Sequence, residues 1–301
     1  MQMSRAAWAM LITLSCLWGS SYFMTEIALE GFPVLTIVAL RVAIASAVLW
    51  LVVWFNGARA PREWRVWAAY LLMGLLNSVI PFSLIVWGQT EIGSSLAAIL
   101  NATTPIFAVL IAALFLRDEP ATPAKIAGVV IGFLGVVVMI GPDAVRELGS
   151  AVFAQLAVVL AGLSYACASV FGRRFHSLGV TPTVSAACQV TMSALLLLPF
   201  VIITGGFEQI HATSLASWAA LLSLAVLSTA VAYMLYFRIL ASAGATNLML
   251  VTFLIPVTAI LLGTLVLRET LHANEILGML LIALALIAID GRLVSRRKTP
   301  T

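Results

Sequence analysis

Long apolar stretches separated by short polar breaks run through the whole of this chain. A spanning α-helix needs about 20 predominantly apolar residues, because each residue advances the helix by ~1.5 Å across a hydrocarbon core of about 30 Å. The stretches have this length, so the pattern predicts ten membrane-spanning helices. Their expected bounds are 7–28, 34–55, 65–88, 93–116, 124–141, 151–171, 183–204, 215–237, 246–267 and 274–291.

A short pattern occurs twice in the chain, 151 residues apart. The order Pro-x-x-Ala-x-Leu-x-x-x-Leu-x-Leu-Arg, followed by an acidic residue, begins at Pro105 and again at Pro256. The same offset pairs Gly93 with Gly244. Each half of the chain then carries five predicted spans, and because five is odd the second copy must enter the membrane in the opposite sense. Inverted-topology repeats are typical of secondary transporters.

These two patterns together predict the fold class. We expect an all-α membrane protein in which two inverted five-helix repeats, residues 1–141 and 150–291, surround a central cavity. The polar residues between the repeats predict a short turn, and residues 292–301 are expected to form a basic tail in the cytoplasm. Gly128 and Gly132 in the fifth span indicate close helix packing, with contact between two copies as the alternative. A monomer or weak dimer is expected.

Composition and charge support a membrane protein and argue against a nucleic-acid partner. The chain is 62% hydrophobic and 9% charged, where soluble domains average about 45–50% and about 25%. All but three of the 16 Lys and Arg residues fall at the N-terminus, the C-terminus and the alternate loops that lie on their side. The positive-inside rule therefore places both termini in the cytoplasm, as expected for a multi-pass protein of the bacterial inner membrane.

Polar residues inside the predicted spans mark the candidate substrate site. Such groups are costly in hydrocarbon and so tend to face a bundle interior or a wet cavity. Each of these residue types also serves to pack, kink or anchor spanning helices, and that alternative stays open for every one of them. The candidate substrate-binding residues are Trp18, Ser21, Tyr22, Asn77, Asn101, Thr104, Ser164, Tyr165, Tyr233 and Thr252.

Four residues are candidates for gating or hinge positions. Gly19 is followed by two serines, whose local hydrogen bonds compete with the helix ladder. Pro81 removes a backbone hydrogen bond and frees a carbonyl group near Asn77. Pro105 and Pro256 occupy equivalent positions of the two repeats, where inverted-repeat transporters place their substrate and hinges.

Charged groups within or beside the spans are few. Arg41 lies well inside the second span, and Glu26 and Glu91 are expected at similar depth. An ion pair between Arg41 and a carboxylate would be structural, hold a charged group of the substrate, or relay a proton. Arg268 and Glu269 end a helix and are expected to be paired charges at the membrane boundary.

The chain offers little to support an intramembrane enzyme. His176, His211 and His272 all fall in predicted loops, and no catalytic Ser–His or paired-Asp arrangement lies within the spans. The three cysteines lack metal-ligand spacing, so neither a metal nor a cofactor is expected. A passive channel is also disfavoured, because the sequence contains no ring of charge and no carbonyl-filter motif.

The repeat architecture, the sequence Leu17-Trp18-Gly19-Ser20-Ser21 and the duplicated Pro-x-x-Ala pattern resemble the EamA-type branch of the drug/metabolite transporter superfamily. The resemblance implies a central cavity lined mainly by the first, third, fourth, sixth, eighth and ninth helices. Within the branch the chain is most similar to bacterial amino-acid exporters, including those for aromatic amino acids. The resemblance therefore implies export of amino acids by alternating access. Export of another metabolite or drug is the alternative, since sister groups move purines, sugars and cofactor precursors.

Overall fold

The computed structural model of the chain shows helices throughout the residues it describes, with no strand among them. The described residues are 4–115, 122–140, 150–172, 175, 180–208, 210, 214–243, 248 and 251–290. The joint between the predicted repeats, the basic tail, and Arg117, Asp118 and Gly244 of the repeated pattern lie outside them. The helices are α1 Arg5–Leu29, α2 Val34–Phe55, α3 Trp64–Gly88, α4 Ser94–Phe115, α5 Pro123–Ile140, α6 Ser150–Gly172, α7 Pro182–Ile203, α8 215–243, α9 Val251–Leu265 and α10 Ala273–Asp290.

Seven of these helices, α1–α4 and α6–α8, are long and apolar enough to cross a membrane by length and composition. The other three predicted spans coincide with the shorter apolar helices α5, α9 and α10. Their passage across the membrane therefore stays a prediction. Large apolar side chains cover the outside of the bundle, as in Leu51, Leu160 and Leu284, each more than half exposed. A surface of this kind suits contact with lipid.

Glycines end two helices in the same way. Gly57 after α2 and Gly205 after α7 have φ values of 64° and 70°, a left-handed conformation that glycine adopts at low cost. In each case the amide of the following residue donates back five residues, to Val53 after α2 and to Val201 after α7. These Schellman-type ends satisfy carbonyl groups that a helix terminus otherwise leaves without a partner.

Helix packing follows a pattern that relates the first five helices to the last five. α2 packs on α7, and α5 packs on α10. The contact of α3 with α6 has its equivalent in α8 with α1, and the contact of α4 with α6 has its equivalent in α9 with α1. Gly132 and Gly135 lie in the α5 interfaces, where a Cβ at Gly135 would come within 3.0 Å of the Gly278 carbonyl oxygen. The small residues of α5 thus serve packing within the chain.

Both α3 and α8 contain a π-helical segment at an equivalent position. The segment is Leu75–Val79 in α3 and Val226–Val231 in α8, and their first residues are 151 apart, the offset of the sequence repeat. In α3 the cause is local, since Pro81 has no amide hydrogen and its ring would clash with a carbonyl group one turn earlier. Widening the helix avoids that clash but leaves carbonyl groups without their usual partners.

Hydroxyl groups supply hydrogen bonds to carbonyl groups near these segments. The Ser164 hydroxyl of α6 donates to the Leu76 carbonyl oxygen at 2.7 Å, within the π segment of α3. The Ser228 hydroxyl of α8 donates to the Leu17 carbonyl oxygen of α1 at 2.8 Å. The Thr229 hydroxyl donates to the Leu224 carbonyl oxygen in its own helix at 2.8 Å. The Ser164 bond ties α6 to α3, and the Ser228 bond ties α8 to α1 at the equivalent position.

Replacing Ser164 with Ala should destabilise the protein, because the part-buried Leu76 carbonyl group would lose its hydroxyl partner. We expect a loss of about 1 kcal/mol, measured as a lower midpoint of thermal unfolding in detergent. Ser169→Ala is the matched control, since the Ser169 hydroxyl bonds a carbonyl group of its own helix and is exposed. Equal shifts for the two variants would contradict this role of Ser164.

Candidate functional site

Arg41 of α2 lies at the centre of a buried polar cluster and is 7% exposed. Its Nε donates a hydrogen bond to the Thr229 hydroxyl oxygen of α8 at 2.9 Å. Its guanidinium carbon lies 3.9 Å from the centre of the Phe82 ring of α3. Arg41 therefore joins helices of both halves of the chain, and it does so beside both π segments.

Placing the charge of Arg41 in the membrane carries a cost that its contacts must offset. An arginine near the centre of a spanning helix costs about 2.5–3.5 kcal/mol on insertion scales. A desolvated cation–π contact returns about 2 kcal/mol or more. No carboxylate lies near Arg41 among the residues that the structure describes. An intramembrane charge of this kind indicates a functional site.

Tyrosine and amide side chains surround the guanidinium group. Tyr22 of α1, Tyr165 of α6 and Tyr233 of α8 are close enough to interact with it electrostatically. The Asn77 amide of α3 donates to the Tyr233 hydroxyl at 3.0 Å and to the Gln189 amide oxygen of α7 at 3.4 Å. The Asn101 side chain of α4 lies beside the Tyr22 hydroxyl. Six helices thus contribute polar groups around the charge of Arg41. Together these residues form what we call the Arg41 cluster: Tyr22, Arg41, Asn77, Phe82, Asn101, Tyr165, Gln189, Thr229 and Tyr233.

Five of the candidate substrate-binding residues belong to this cluster, and five do not. Three of the others use their hydroxyl groups on backbone carbonyls: Ser21 on Trp18, Thr104 on Asn101 and Ser164 on Leu76. The Trp18 ring packs at 5.9 Å from the Tyr236 ring, and Thr252 lies half-buried on α9. The candidate substrate-binding residues that lie together in the Arg41 cluster are Tyr22, Asn77, Asn101, Tyr165 and Tyr233.

The four candidate hinge residues differ in their local structure. α1 continues as an α-helix through Gly19, where a Cβ would overlap Thr258 of α9, so Gly19 permits a close helix crossing. Pro81 follows the π segment of α3. α4 is interrupted at Ala102 and Thr103, next to Pro105, whereas α9 continues through Pro256. The two equivalent prolines therefore lie in different helix geometries in the same molecule.

The charge pair suggested for Arg41 does not form in this structure. The Glu26 carboxylate accepts a hydrogen bond from the Gln89 amide at 3.3 Å, and that amide also donates to the Tyr22 carbonyl oxygen at 2.8 Å. Glu91 is exposed at the end of α3. Gln89 holds Glu26 at the edge of the cluster, while Thr229 and Phe82 hold Arg41 inside it.

Glu269 binds the N-terminus of α4, which the sequence did not predict. One carboxylate oxygen accepts from the Ser94 amide and hydroxyl, each at 2.7 Å. The other accepts from the Ser95 amide at 3.0 Å and from the Ser95 hydroxyl. The expected partner, Arg268, is exposed and has a φ of 58°. A carboxylate at a helix N-terminus satisfies free amide groups and complements the helix dipole. Glu269 therefore bonds α4 and does not pair with Arg268.

The Glu269 contact ties helices together at one end of the bundle, here called the Glu269 end. Glu269 lies between α9 and α10, so its bonds connect these helices to α4. A Cβ at Gly93 would lie 3.0 Å from the carboxylate carbon, and one at Gly263 would overlap both the carboxylate and the Ser95 hydroxyl. Glycine at these two positions therefore makes room for the contact.

Sequence reasoning missed three contacts of the cluster. Thr229 and Phe82 give no signal of their own as partners of Arg41, because the contact depends on how α2, α3 and α8 rotate against each other. Gln189 carries a usable signal, since it lies in α7 near the place equivalent to Arg41 of α2. The described residues contain no group of His, Cys, Asp and Glu that could hold a metal ion.

We expect Glu269→Ala to destabilise the protein by about 2 kcal/mol, because buried amide and hydroxyl groups of Ser94 and Ser95 lose a charged acceptor. The free energy of unfolding in detergent measures this loss. Glu275→Ala is a matched control: Glu275 accepts only from the His272 amide in the first turn of its own helix, at an exposed site. If the control lost as much stability, the bond between the helices would not be the cause.

Comparison with known proteins identifies the class. A model described as the EamA-like transporter family matches residues 6–141 and 152–289. The transporter YoaV of Bacillus subtilis, itself uncharacterised, is 27% identical over 96% of this chain and 97% of its own length. A probable terminal-alkyne amino-acid exporter of Streptantibioticus cattleyicolor is 26% identical over 99% of this chain and 97% of its own. A solved crystal structure at 23% identity matches with a TM-score of 0.67 over 98% of this chain and all of its own.

The family defines a multi-pass membrane transporter of a small molecule, not an enzyme. The chain belongs to the EamA-like transporter family. This confirms the family resemblance seen in the sequence motifs.

Proposed function

We propose that the protein is a secondary transporter that exports amino acids, with apolar and aromatic ones among them, by alternating access. The Arg41 cluster carries this proposal, because it places one cation, three tyrosines and three amides where helices of both halves meet. Such a surface can bind the polar groups and the apolar body of an amino acid together. The similarity to a probable amino-acid exporter of another organism supports the substrate class.

Two inverted repeats, residues 1–141 and 150–291, would build this transporter from ten spanning helices. Three observations support them. The π segments repeat the 151-residue offset of the sequence pattern, the helix contacts occur in equivalent pairs, and the family model matches each half of the chain separately. The substrate would bind in a central cavity between the repeats, where the Arg41 cluster lies.

The expected orientation places the Glu269 end outside the cell. At the opposite end of the bundle, Arg59 and Arg62 are exposed between α2 and α3, and Arg65 is exposed in the first turn of α3. Positively charged loops face the cytoplasm, so this end and both termini would be cytoplasmic in the bacterial inner membrane. Export then means that solute enters the cluster from the basic end and leaves past Glu269.

Each predicted site residue has a proposed part in transport. The rings of Tyr22, Tyr165 and Tyr233 would contact the solute's body, and Asn77 and Asn101 would bond its polar groups. Trp18, Ser21, Thr104 and Ser164 lie on helices of the cluster and Thr252 lies on α9. All five stay predicted contacts that need a rearrangement of the site. Gly19, Pro81, Pro105 and Pro256 stay predicted hinges.

The difference between α4 and α9 supports a conformational cycle. α4 is broken near Pro105 while its equivalent α9 is continuous at Pro256, and the carboxylate of Glu269 ties α4 to the segment between α9 and α10 at one end. In the opposite conformation the two equivalent helices would exchange geometries and the Glu269 contact would open. Glu26 and Glu91 are the groups available to relay protons, although exchange driven by the solute's own gradient needs neither of them.

Export of another small metabolite or drug is the second candidate. The amides and hydroxyls of the Arg41 cluster can also bond a purine, a sugar or a cofactor precursor. A competition panel of these compounds against an amino acid distinguishes the two candidates, because only the solute that fits the cluster should inhibit at low concentration.

The proposal predicts exchange of amino acids in proteoliposomes. Vesicles preloaded with unlabelled phenylalanine should take up radiolabelled phenylalanine faster than empty vesicles, with or without an imposed pH gradient. Dependence on the gradient would indicate proton coupling and direct attention to Glu26 and Glu91. No uptake of any amino acid by folded protein would contradict amino-acid export.

Asn101→Leu should reduce this exchange by at least about tenfold without loss of folding, because the amide beside Tyr22 would be replaced by an apolar group of similar size. Asn56→Leu, an exposed position after α2, is the control. Unchanged exchange by Asn101→Leu would remove Asn101 from the site.

A further inference from the structure

Arg41 combines near-complete burial with the lack of an acidic partner in the described part of the chain. It is 7% exposed, its Nε is bonded to the Thr229 hydroxyl, and its guanidinium group lies over the Phe82 ring. Neither contact supplies a negative charge. The terminal nitrogens of the guanidinium group have no hydrogen-bond acceptor among the described residues. Those nitrogens are donors in a planar fork that matches a carboxylate.

The surroundings of the fork favour an anion. Three tyrosines from α1, α6 and α8 lie around it, and a hydroxyl group can donate a hydrogen bond to an anion as readily as accept one from a cation. The acidic side chain of Glu26 is bonded by the Gln89 amide, which also bonds the Tyr22 carbonyl oxygen, and not by Arg41. Acidic groups are thus kept away from a site that is rich in donors.

The site is also one-sided in charge. An amino acid carries a carboxylate and an ammonium group, and the cluster offers a cation for the first but no carboxylate for the second among the described residues. Within the cluster as the structure describes it, an ammonium group meets neutral oxygens, such as those of Asn101 and the tyrosine hydroxyls. The carboxylate should therefore contribute to binding through a charged hydrogen bond, and the ammonium group through neutral ones only.

We propose that Arg41 is the anion-binding residue of the transport site and that a carboxylate, not an α-ammonium group, is what a substrate must have. This deepens the proposed function and rests on it for the location of the transport site. It extends the substrate class to carboxylic acids with an apolar or aromatic body that lack the amino group, such as 2-oxo acids. It excludes the corresponding amines.

Three probes with the same aromatic body test this requirement: phenylalanine, phenylpyruvate and phenethylamine. Calorimetric titration of the purified full-length protein in detergent gives the affinity for each. We expect phenylpyruvate to bind within about tenfold of phenylalanine, and phenethylamine to bind at least about a hundredfold more weakly. Phenethylamine binding as tightly as phenylalanine would overturn the proposal, and this comparison needs no variant.

Variants of Arg41 test whether this residue is the source of the requirement for a carboxylate. Arg41→Gln should lower the affinity for phenylalanine and for phenylpyruvate at least tenfold and leave the affinity for phenethylamine unchanged. Arg41→Lys should lower the two carboxylate affinities less, because lysine keeps the charge but not the planar fork. Arg59→Gln, an exposed arginine in the loop between α2 and α3, is the control. Carboxylate affinities that are equal in the wild type and in folded Arg41→Gln would also overturn the proposal.

The outcomes separate this inference from the proposed function. Binding of phenylpyruvate through Arg41 without binding of any amino acid would support the inference and contradict amino-acid export. Binding of phenylalanine and phenethylamine alike would support transport of amino compounds and contradict the inference. Failure of all carboxylates to bind the wild-type protein would contradict both.

Discussion

The lack of water in the hydrocarbon core is the constraint on which this structure depends, because every backbone polar group there must find a partner in the protein. Pro81 has no amide hydrogen to bond a carbonyl group of the preceding turn, and α3 forms a π segment just before it. The Leu76 carbonyl group in that segment is bonded by the Ser164 hydroxyl. α8 has its own π segment at the equivalent place, where Thr229 bonds a carbonyl group of its own helix and Ser228 bonds one of α1. The bonds that repair the backbone also hold the helices together.

The π segments also supply residues of the polar cluster. Thr229 lies in the π segment of α8 and accepts a hydrogen bond from Arg41, while Asn77 lies in the π segment of α3 and bonds Tyr233. Irregular helices thus bring charge and hydrogen-bonding groups to the place where the two halves meet. At the Glu269 end the rule acts again, since the free amides of α4 are bonded by Glu269. A substrate that brings its own carboxylate would complete the hydrogen bonds of Arg41.

Sequence alone predicted the kind of fold and much of the cluster, because both follow from the cost of polar groups in lipid. Tyr22, Asn77 and Asn101 were expected at the site on that ground, and they do lie together around Arg41. The partners of Arg41 were not predictable, since Thr229 and Phe82 meet it through the rotation of three helices that no linear pattern records. Glu269 was misassigned for a related reason: its neighbour Arg268 is adjacent in sequence, but the amides of Ser94 and Ser95 are adjacent in space.

Alternating access requires that the two equivalent halves open the bundle at one end while closing it at the other. Spin labels at Glu91 and Ala273 report the Glu269 end, and labels at Ser242 and Thr122, each 151 residues from one of the first pair, report the opposite end; all four positions are exposed. Double electron–electron resonance measures both distances in the full-length protein with and without phenylalanine. The account predicts that a shift of one distance distribution to longer values accompanies a shift of the other to shorter values. Two distances that lengthen together, or that never change with substrate, would contradict alternating access.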